Sequence, residues 1–346
     1  WVKWLGVGLL AVFAYLAWVQ LFYRSPRVNP NGIFVLKNVI PAHNSYIWTV
    51  KFSPAGNVLA SGSVDSTVKI WNVEHGSLLN TFKQPSGITY LTYSPDGGLI
   101  ATGAYDGKIR LWRSPDGMLA KTFIGGSATT WCVDFSADGK MVAGAGEDKA
   151  IKVWNMETGQ LIFTLTGHDK NIWDIKFSPA GDVLASGSFD KTIKIWDLNS
   201  GKLLHTLSDH SEAVVSLAFS PDGKWLASTG DDRSVKLWNT SDWKMTRSMT
   251  VPEHVQASAF SPDNKLLLTG GRDKPAIGEF LQNLFGNSKY NKGVSMRLWD
   301  VATGNLLQTF DEHANDVNDV SWSTDGKYIA SGSSDRTIEL WMFKGR

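Results

Sequence analysis

Polar and apolar residues alternate along most of the chain in short stretches of about six positions, the period of half-buried strands. Examples are TVKIW at 67–71 and TIKIW at 192–196, each bounded by turn-forming residues. Two stretches break this rhythm. Trp4 to Tyr23 reads WLGVGLLAVFAYLAWVQLFY, twenty residues without a formal charge. At 1.5 Å per residue a helix of that length reaches roughly 30 Å, the depth of a bilayer core. Residues 274–293 are the second stretch. There Ile277, Phe280, Leu281, Leu284 and Phe285 recur at one face of a short amphipathic helix, with Pro275 near its start and Gly286 after its end.

The strand pattern repeats. Seven hairpin turns occur at Ser53-Pro-Ala-Gly, Ser94-Pro-Asp-Gly, Ser136-Ala-Asp-Gly, Ser178-Pro-Ala-Gly, Ser220-Pro-Asp-Gly, Ser261-Pro-Asp-Asn and Ser323-Thr-Asp-Gly. Each follows a strand ending in an aromatic residue and precedes a second apolar strand; Pro presets φ, Asp bonds the local backbone, and Gly or Asn accepts positive φ. An Asp then falls at 65, 106, 148, 190, 232, 273 and 335, and a Trp at 71, 112, 154, 196, 238, 299 and 341. The Trp spacing is 41 or 42 residues except for one step of 61. Four strands and one Trp per unit of this length resemble the WD-repeat (WD40) family, over residues 33–344. The resemblance implies an all-β, seven-bladed β-propeller, preceded here by one N-terminal transmembrane α-helix.

It further implies that a His, a Ser or Thr, the turn Asp and the Trp form a hydrogen-bonded tetrad within a blade. Four units carry the set: His43/Ser61/Asp65/Trp71, His168/Ser186/Asp190/Trp196, His210/Ser228/Asp232/Trp238 and His313/Ser331/Asp335/Trp341. Gln84, Gly126 and Val251 replace the His in units two, three and six, so those blades are expected to depend more on packing. A role repeated around a ring is architectural, and these Asp–His pairs are assigned no catalysis.

The chain divides into a transmembrane helix at 1–24, a tether at 25–32 and a propeller at 33–346. The last unit lacks a fourth strand, and IFVLKNVI at 33–40 stands where a fourth strand precedes a His, so it is expected to close blade seven. So short a tether would hold the ring within roughly 30 Å of the bilayer. The other readings of the first segment are a signal peptide, with Val12-Phe13-Ala14 as a cleavage site, and a buried core helix. Arg24, Arg27 and Lys37 outnumber Lys3, which places the propeller on the cytoplasmic side by a small margin.

Composition narrows the function. Residues 1–27 hold three of the 34 basic residues and no acid, leaving 31 basic and 33 acidic groups in residues 28–346, a net −2. That balance lacks the basic footprint of a nucleic-acid binder. Cys132 is the lone cysteine, so no intrachain disulfide or thiolate cluster forms. No phosphate loop, paired metal-binding His or nucleophile elbow is present, and no cofactor or metal is expected. Asn239-Thr-Ser241 matches a glycosylation sequon, relevant only outside the cell.

Two surfaces are expected to bind. One is the 274–293 insertion in blade six, whose apolar face meets a partner or membrane, or folds back on its own propeller. The other is aromatic: Trp48, Trp131 and Trp173 stand four residues before the strand-ending aromatic, and Tyr105 and Phe189 directly before the turn Asp. These five form either an interface cluster or packing around the channel. The expected function is a non-enzymatic, membrane-anchored scaffold, an accessory subunit of a larger complex with integral-membrane partners. The alternatives are a ligand-binding or catalytic propeller using its channel, and a secreted soluble propeller.

Overall fold

The computed structural model describes residues 32–114, 116–126, 128–272 and 296–345. The segments expected as a membrane helix (1–24) and as an amphipathic insertion (274–293) lie outside them. Among the described residues no helix is long and apolar enough to cross a membrane.

The strands form seven four-stranded antiparallel sheets. In six, the strands run in chain order from the channel outward, as Ile47–Phe52, Val58–Ser63, Thr67–Asn72 and Leu78–Lys83 do in blade one. The turn Gly holds the first hairpin in left-handed backbone (φ 74° at Gly56, 72° at Gly97), and Asn264 substitutes at φ 65° in blade six.

Blade seven is assembled from both ends of the ring. Val317–Trp322, Tyr328–Ser333 and Thr337–Phe343 are joined by Phe34–Pro41, which pairs with the last of them from Phe34↔Phe343 to Pro41↔Thr337. This outer strand therefore begins one residue beyond the start of the 33–40 run. The buried Phe34 ring meets Trp322 edge-on at 5.4 Å and Phe343 at 5.6 Å. From blade six, Gln308 grips the backbone of Phe34 on both sides: Phe34 N donates to Oε1 at 2.9 Å, and Nε2 donates to Phe34 O at 2.8 Å. Closure thus joins a strand from near residue 34 to strands near residue 340 in one sheet, and it leaves no open end of the ring for edge pairing.

The core lies between sheets rather than in one centre. Ile47, Val50, Leu59 and Trp71 of blade one pack with Ala330, Ile338 and Leu340 of blade seven, and equivalent clusters fill the other gaps. Small residues in the second strands permit this approach: a Cβ on Gly62 would meet Ile88 Cγ2 at 2.6 Å.

Candidate functional site

Three of the four units expected to carry tetrads bring all four residues together, and blade seven joins its His, Ser and Asp without the Trp bond. In blade one His43 Nε2 lies 2.7 Å from Ser61 Oγ, its Nδ1 lies 3.1 Å from Asp65, and Trp71 Nε1 donates to Ser61 Oγ at 2.8 Å. In blade four His168 lies 2.7 Å from both Ser186 Oγ and Asp190, and Trp196 Nε1 donates to Ser186 Oγ at 2.9 Å. In blade five His210 lies 2.8 Å from Ser228 Oγ and 2.9 Å from Asp232, and Trp238 Nε1 donates to Ser228 Oγ at 2.8 Å.

Trp196 and Trp238 have a second role beside the tetrad bond. Both rings are core residues as well, 2% and 1% exposed. Trp196 belongs to the apolar cluster of Ile172, Ile175 and Leu184, and Trp238 to that of Val214, Leu217 and Leu226. The indole has one polar atom on a large apolar body, so a single N–H bond to Ser lets the rest of the ring fill the core. Repeat spacing shows the polar half of that role and not the packing half.

The His, Thr67 and Asn44 N hold the Asp65 carboxyl well below its ordinary range, although burial opposes this. The Ser–His–Asp order is that of a nucleophilic triad, but Ser61, Ser186, Ser228 and Ser331 are each 0% exposed. No substrate reaches these hydroxyls.

Three blades depart from the expectation. Blade two keeps a polar network without its His: Thr102 Oγ1 donates to Gln84 Oε1 at 2.9 Å, Trp112 Nε1 donates to Thr102 Oγ1 at 3.0 Å, and Arg110 grips Asp106 with contacts of 3.2 and 2.6 Å. The packing expected to matter more here is thus accompanied by a polar network; an amide side chain can occupy the His place because it too accepts from a hydroxyl. Blade six has Trp299 Nε1 on Thr269 Oγ1 at 3.0 Å and a buried Arg297–Glu253 pair at 2.6 Å. In blade seven His313 bonds Ser331 and Asp335 at 2.7 and 2.9 Å, but Trp341 Nε1 makes no bond to Ser331. Glu339 stands there, 3.5 Å from His313 Nε2, where blades one, four and five carry Lys69, Lys194 and Lys236. Burial pushes the Glu339 carboxyl up to about 7, against the pull of His313 and aided by Asp335.

A second constellation forms at the channel mouth. In every blade the innermost strand has a β-bulge near its start, with the register skipping from Ile47 to Thr49, Ile88 to Tyr90, Thr130 to Cys132, Ile172 to Asp174, Val214 to Ser216, Val255 to Ala257 and Val317 to Asp319. The skipped residues are Trp48, Thr89, Trp131, Trp173, Val215, Gln256 and Asn318, and all of them line the central cavity of about 440 Å³. A bulge leaves its extra residue unpaired and re-aims the side chain. Three of these seven positions hold Trp, and the structure unites them with the aromatics before two turn Asp residues. Trp131 and Trp173 stack at 4.6 Å; Trp48 meets both edge-on at 6.2 and 6.4 Å. Tyr105 lies edge-on to Trp131 at 5.6 Å and accepts a bond from Trp48 Nε1 at 2.9 Å, and Phe189 lies 5.2 Å from Trp173. All five are partly exposed. Trp131 Nε1 is buried without a hydrogen-bond partner, a cost of about 1–3 kcal/mol that packing alone does not require.

Below the mouth the channel holds charges that were not expected to converge. Lys51 contacts Asp319 at 2.6 Å and Lys176 contacts Asp174 at 2.8 Å. Lys176 also donates to Tyr90 Oη at 2.9 Å, and both lysines lie over the Tyr90 ring, at 4.7 and 5.0 Å. Burial opposes the charge on Lys176, but Asp174 and Tyr90 outweigh it and hold the ammonium well above its usual range. Asp134, on the strand that carries Trp131, has no ion-pair contact among the described residues; Phe177 N donates to it at 2.9 Å. Burial pushes its carboxyl up to about 6 despite Lys176 nearby. The signal in the sequence was a polar residue just before the strand-ending aromatic (Lys51, Asp134, Lys176). Among the described residues no group of three or more His, Cys, Asp or Glu is arranged to hold a metal ion.

Comparison with known proteins places the repeats in context. The description "IFT122 first beta-propeller" matches residues 34–200, and "WD domain, G-beta repeat" (WD40) matches 201–239, 245–274 and 304–342. The chain is similar to Protein HIR1 of Kluyveromyces lactis, 34% identical over 110 residues, which is 30% of this chain and 12% of that protein. It is 39% identical over 46 residues to Eukaryotic translation initiation factor 3 subunit I of Neurospora crassa, 13% of each chain. It is also 30% identical over 97 residues to the Periodic tryptophan protein 2 homolog of Schizosaccharomyces pombe, 28% of this chain and 9% of that one. The matched stretches span about a tenth of the length of these relatives.

Proposed function

We propose that this chain, a seven-bladed propeller of WD40 repeats, is a scaffold that docks a partner protein on the aromatic half of its channel mouth, while residues 4–23 hold it at a membrane. The observation that carries the docking surface is the aromatic cluster itself. Five partly exposed rings from four blades converge: Trp48, Trp131 and Trp173 at the bulges of inner strands, and Tyr105 and Phe189 in the turns beside them. Rigid aromatic rings in a partly dry pocket are the side chains that dominate interface energies. The membrane reading rests on the uncharged run 4–23 and the short stretch between it and the ring. It makes the partner an integral-membrane subunit and the protein an accessory member of that assembly.

The experiment is recovery of the full chain from membranes in gentle detergent, beside the Trp131→Ala/Trp173→Ala double variant. The wild type is expected to bring partners in a fixed ratio; the double variant is expected to remain in the membrane fraction and lose them. Recovery of the wild type as a lone monomer would overturn the scaffold, and recovery from the soluble fraction would overturn the anchor.

A further inference from the structure

Resting on the docking surface just proposed, we infer that the channel accepts one long cationic side chain of the partner, an arginine on an extended segment, with Trp faces around it and Asp134 as its counter-ion. The charges of the cavity ask for it. Asp174 and Asp319 are each neutralised by a lysine at 2.8 and 2.6 Å, whereas Asp134 has no cation in ion-pair contact among the described residues. Three carboxylates against two ammonium groups leave one uncompensated negative charge in a partly desolvated space, and such a charge is costly unless paired. Asp134 lies three residues along the strand from Trp131, about 10 Å below the rim, so only a long side chain reaches from the surface. Its path passes Trp48, Trp131 and Trp173, and aromatic faces attract a guanidinium by cation–π contact.

The far half of the mouth points the same way. Loops 208–213, 230–233, 251–254, 311–316 and 333–336 hold nine acidic residues against Arg233 and Arg336. Asp232 and Asp335 are tetrad members, Glu253 pairs with Arg297, Glu212 with Lys191 and Asp231 with His254, which leaves Asp209, Asp311, Glu312 and Asp316 to favour a basic segment lying across the rim.

The test uses a capped five-residue peptide with a central arginine in a glycine–serine background, and its counterpart with citrulline, which keeps the shape and removes the charge. Binding to the full chain is read from the indole N–H signals of the tryptophans. The arginine peptide is expected to bind at least tenfold more tightly than the citrulline peptide. Asp134→Asn, which still accepts from Phe177 N, should bring the two peptides within about twofold. In the wild type the preference should fade below pH 6, as Asp134 is protonated while Lys176 keeps its charge, so the inference is testable even if the variant fails to fold. Equal affinity of the two peptides at pH 7.5, or a preference unchanged in Asp134→Asn, would overturn the inference. If the double Trp variant loses its partner while no arginine preference exists, the docking surface stands and only its cationic guest is wrong.

Discussion

The two halves of the channel mouth share a backbone and differ in everything the backbone presents. On blades one to four the bulge positions read Trp48, Thr89, Trp131 and Trp173, joined by Tyr105 and Phe189. On blades five to seven they read Val215, Gln256 and Asn318, joined by acidic loops. Because the bulge recurs in all seven blades, it cannot itself have been shaped by one partner; it is part of how the fold is built. The choice of side chain at the bulge is local, and it divides the ring into an aromatic half and an acidic half. The tetrads teach the converse: they occur on both sides, complete at blades one, four and five and without the Trp bond at blade seven, so they mark architecture.

The largest expected effect breaks that symmetry of function. Trp131→Ala with Trp173→Ala should weaken partner capture more than 100-fold, at about 2 kcal/mol or more for each buried anchor, whereas Gln256→Ala with Asn318→Ala should change it less than about threefold. Pull-down with titrated partner measures both. Next come the tetrads, which should not distinguish the halves. His168→Ala and His210→Ala should each cost about 3 kcal/mol in denaturant unfolding, since each leaves a buried Asp and Ser without their partner.

Protonation separates the blades further. The tetrad carboxyls of Asp65, Asp190 and Asp232 are depressed, so their contribution is complete above the ordinary value of 3.8 and is lost as pH falls below it. Glu339 is shifted the other way, up to about 7 from 4.5, so its contribution is a penalty that grows as pH rises from 4.5 through 7. Glu339→Gln should therefore match the wild type near pH 5 and exceed it by on the order of 2 kcal/mol at pH 8, read from melting curves at both values. The smallest effect is at closure. Gln308→Ala removes two buried hydrogen bonds to Phe34 and should cost about 1–2 kcal/mol, with faster amide exchange confined to Phe34–Pro41.

Much of the ring could be read from the sequence because its determinants are local. A turn Asp six residues before a Trp, and a Ser-Pro-Asp-Gly hairpin after an aromatic, declare themselves within ten residues. The second role of Trp196 and Trp238, filling the core, depends on neighbours from other strands and so lay beyond that local pattern. The aromatic positions of the mouth were also visible, three as residues four before the strand end and two just before the turn Asp; what pattern could not give is that five rings from four blades touch. The bulge, which aims the three Trp, has no sequence mark of its own, since Trp48 and Asn318 occupy it equally. The channel charges were missed because Lys51, Asp134 and Lys176 look like the solvent face of a strand. Only ring closure turns that face inward, toward residues of other blades, 43, 86 and 268 positions away for the Asp134–Phe177, Lys176–Tyr90 and Lys51–Asp319 contacts. The polar network of blade two was not foreseen for a chemical reason: Gln84 accepts the Thr102 hydroxyl as a His would.

The central claim, that the aromatic half of the mouth is the docking surface, is tested most directly by photo-crosslinking from matched rim positions. A photoreactive residue at Val64, in the turn over Gly87 and Tyr105, is compared with one at Asp231, the equivalent position in blade five. Abundant partner adducts from position 64 and few from position 231 are the predicted result. Adducts from position 231 alone, or from neither, would contradict it.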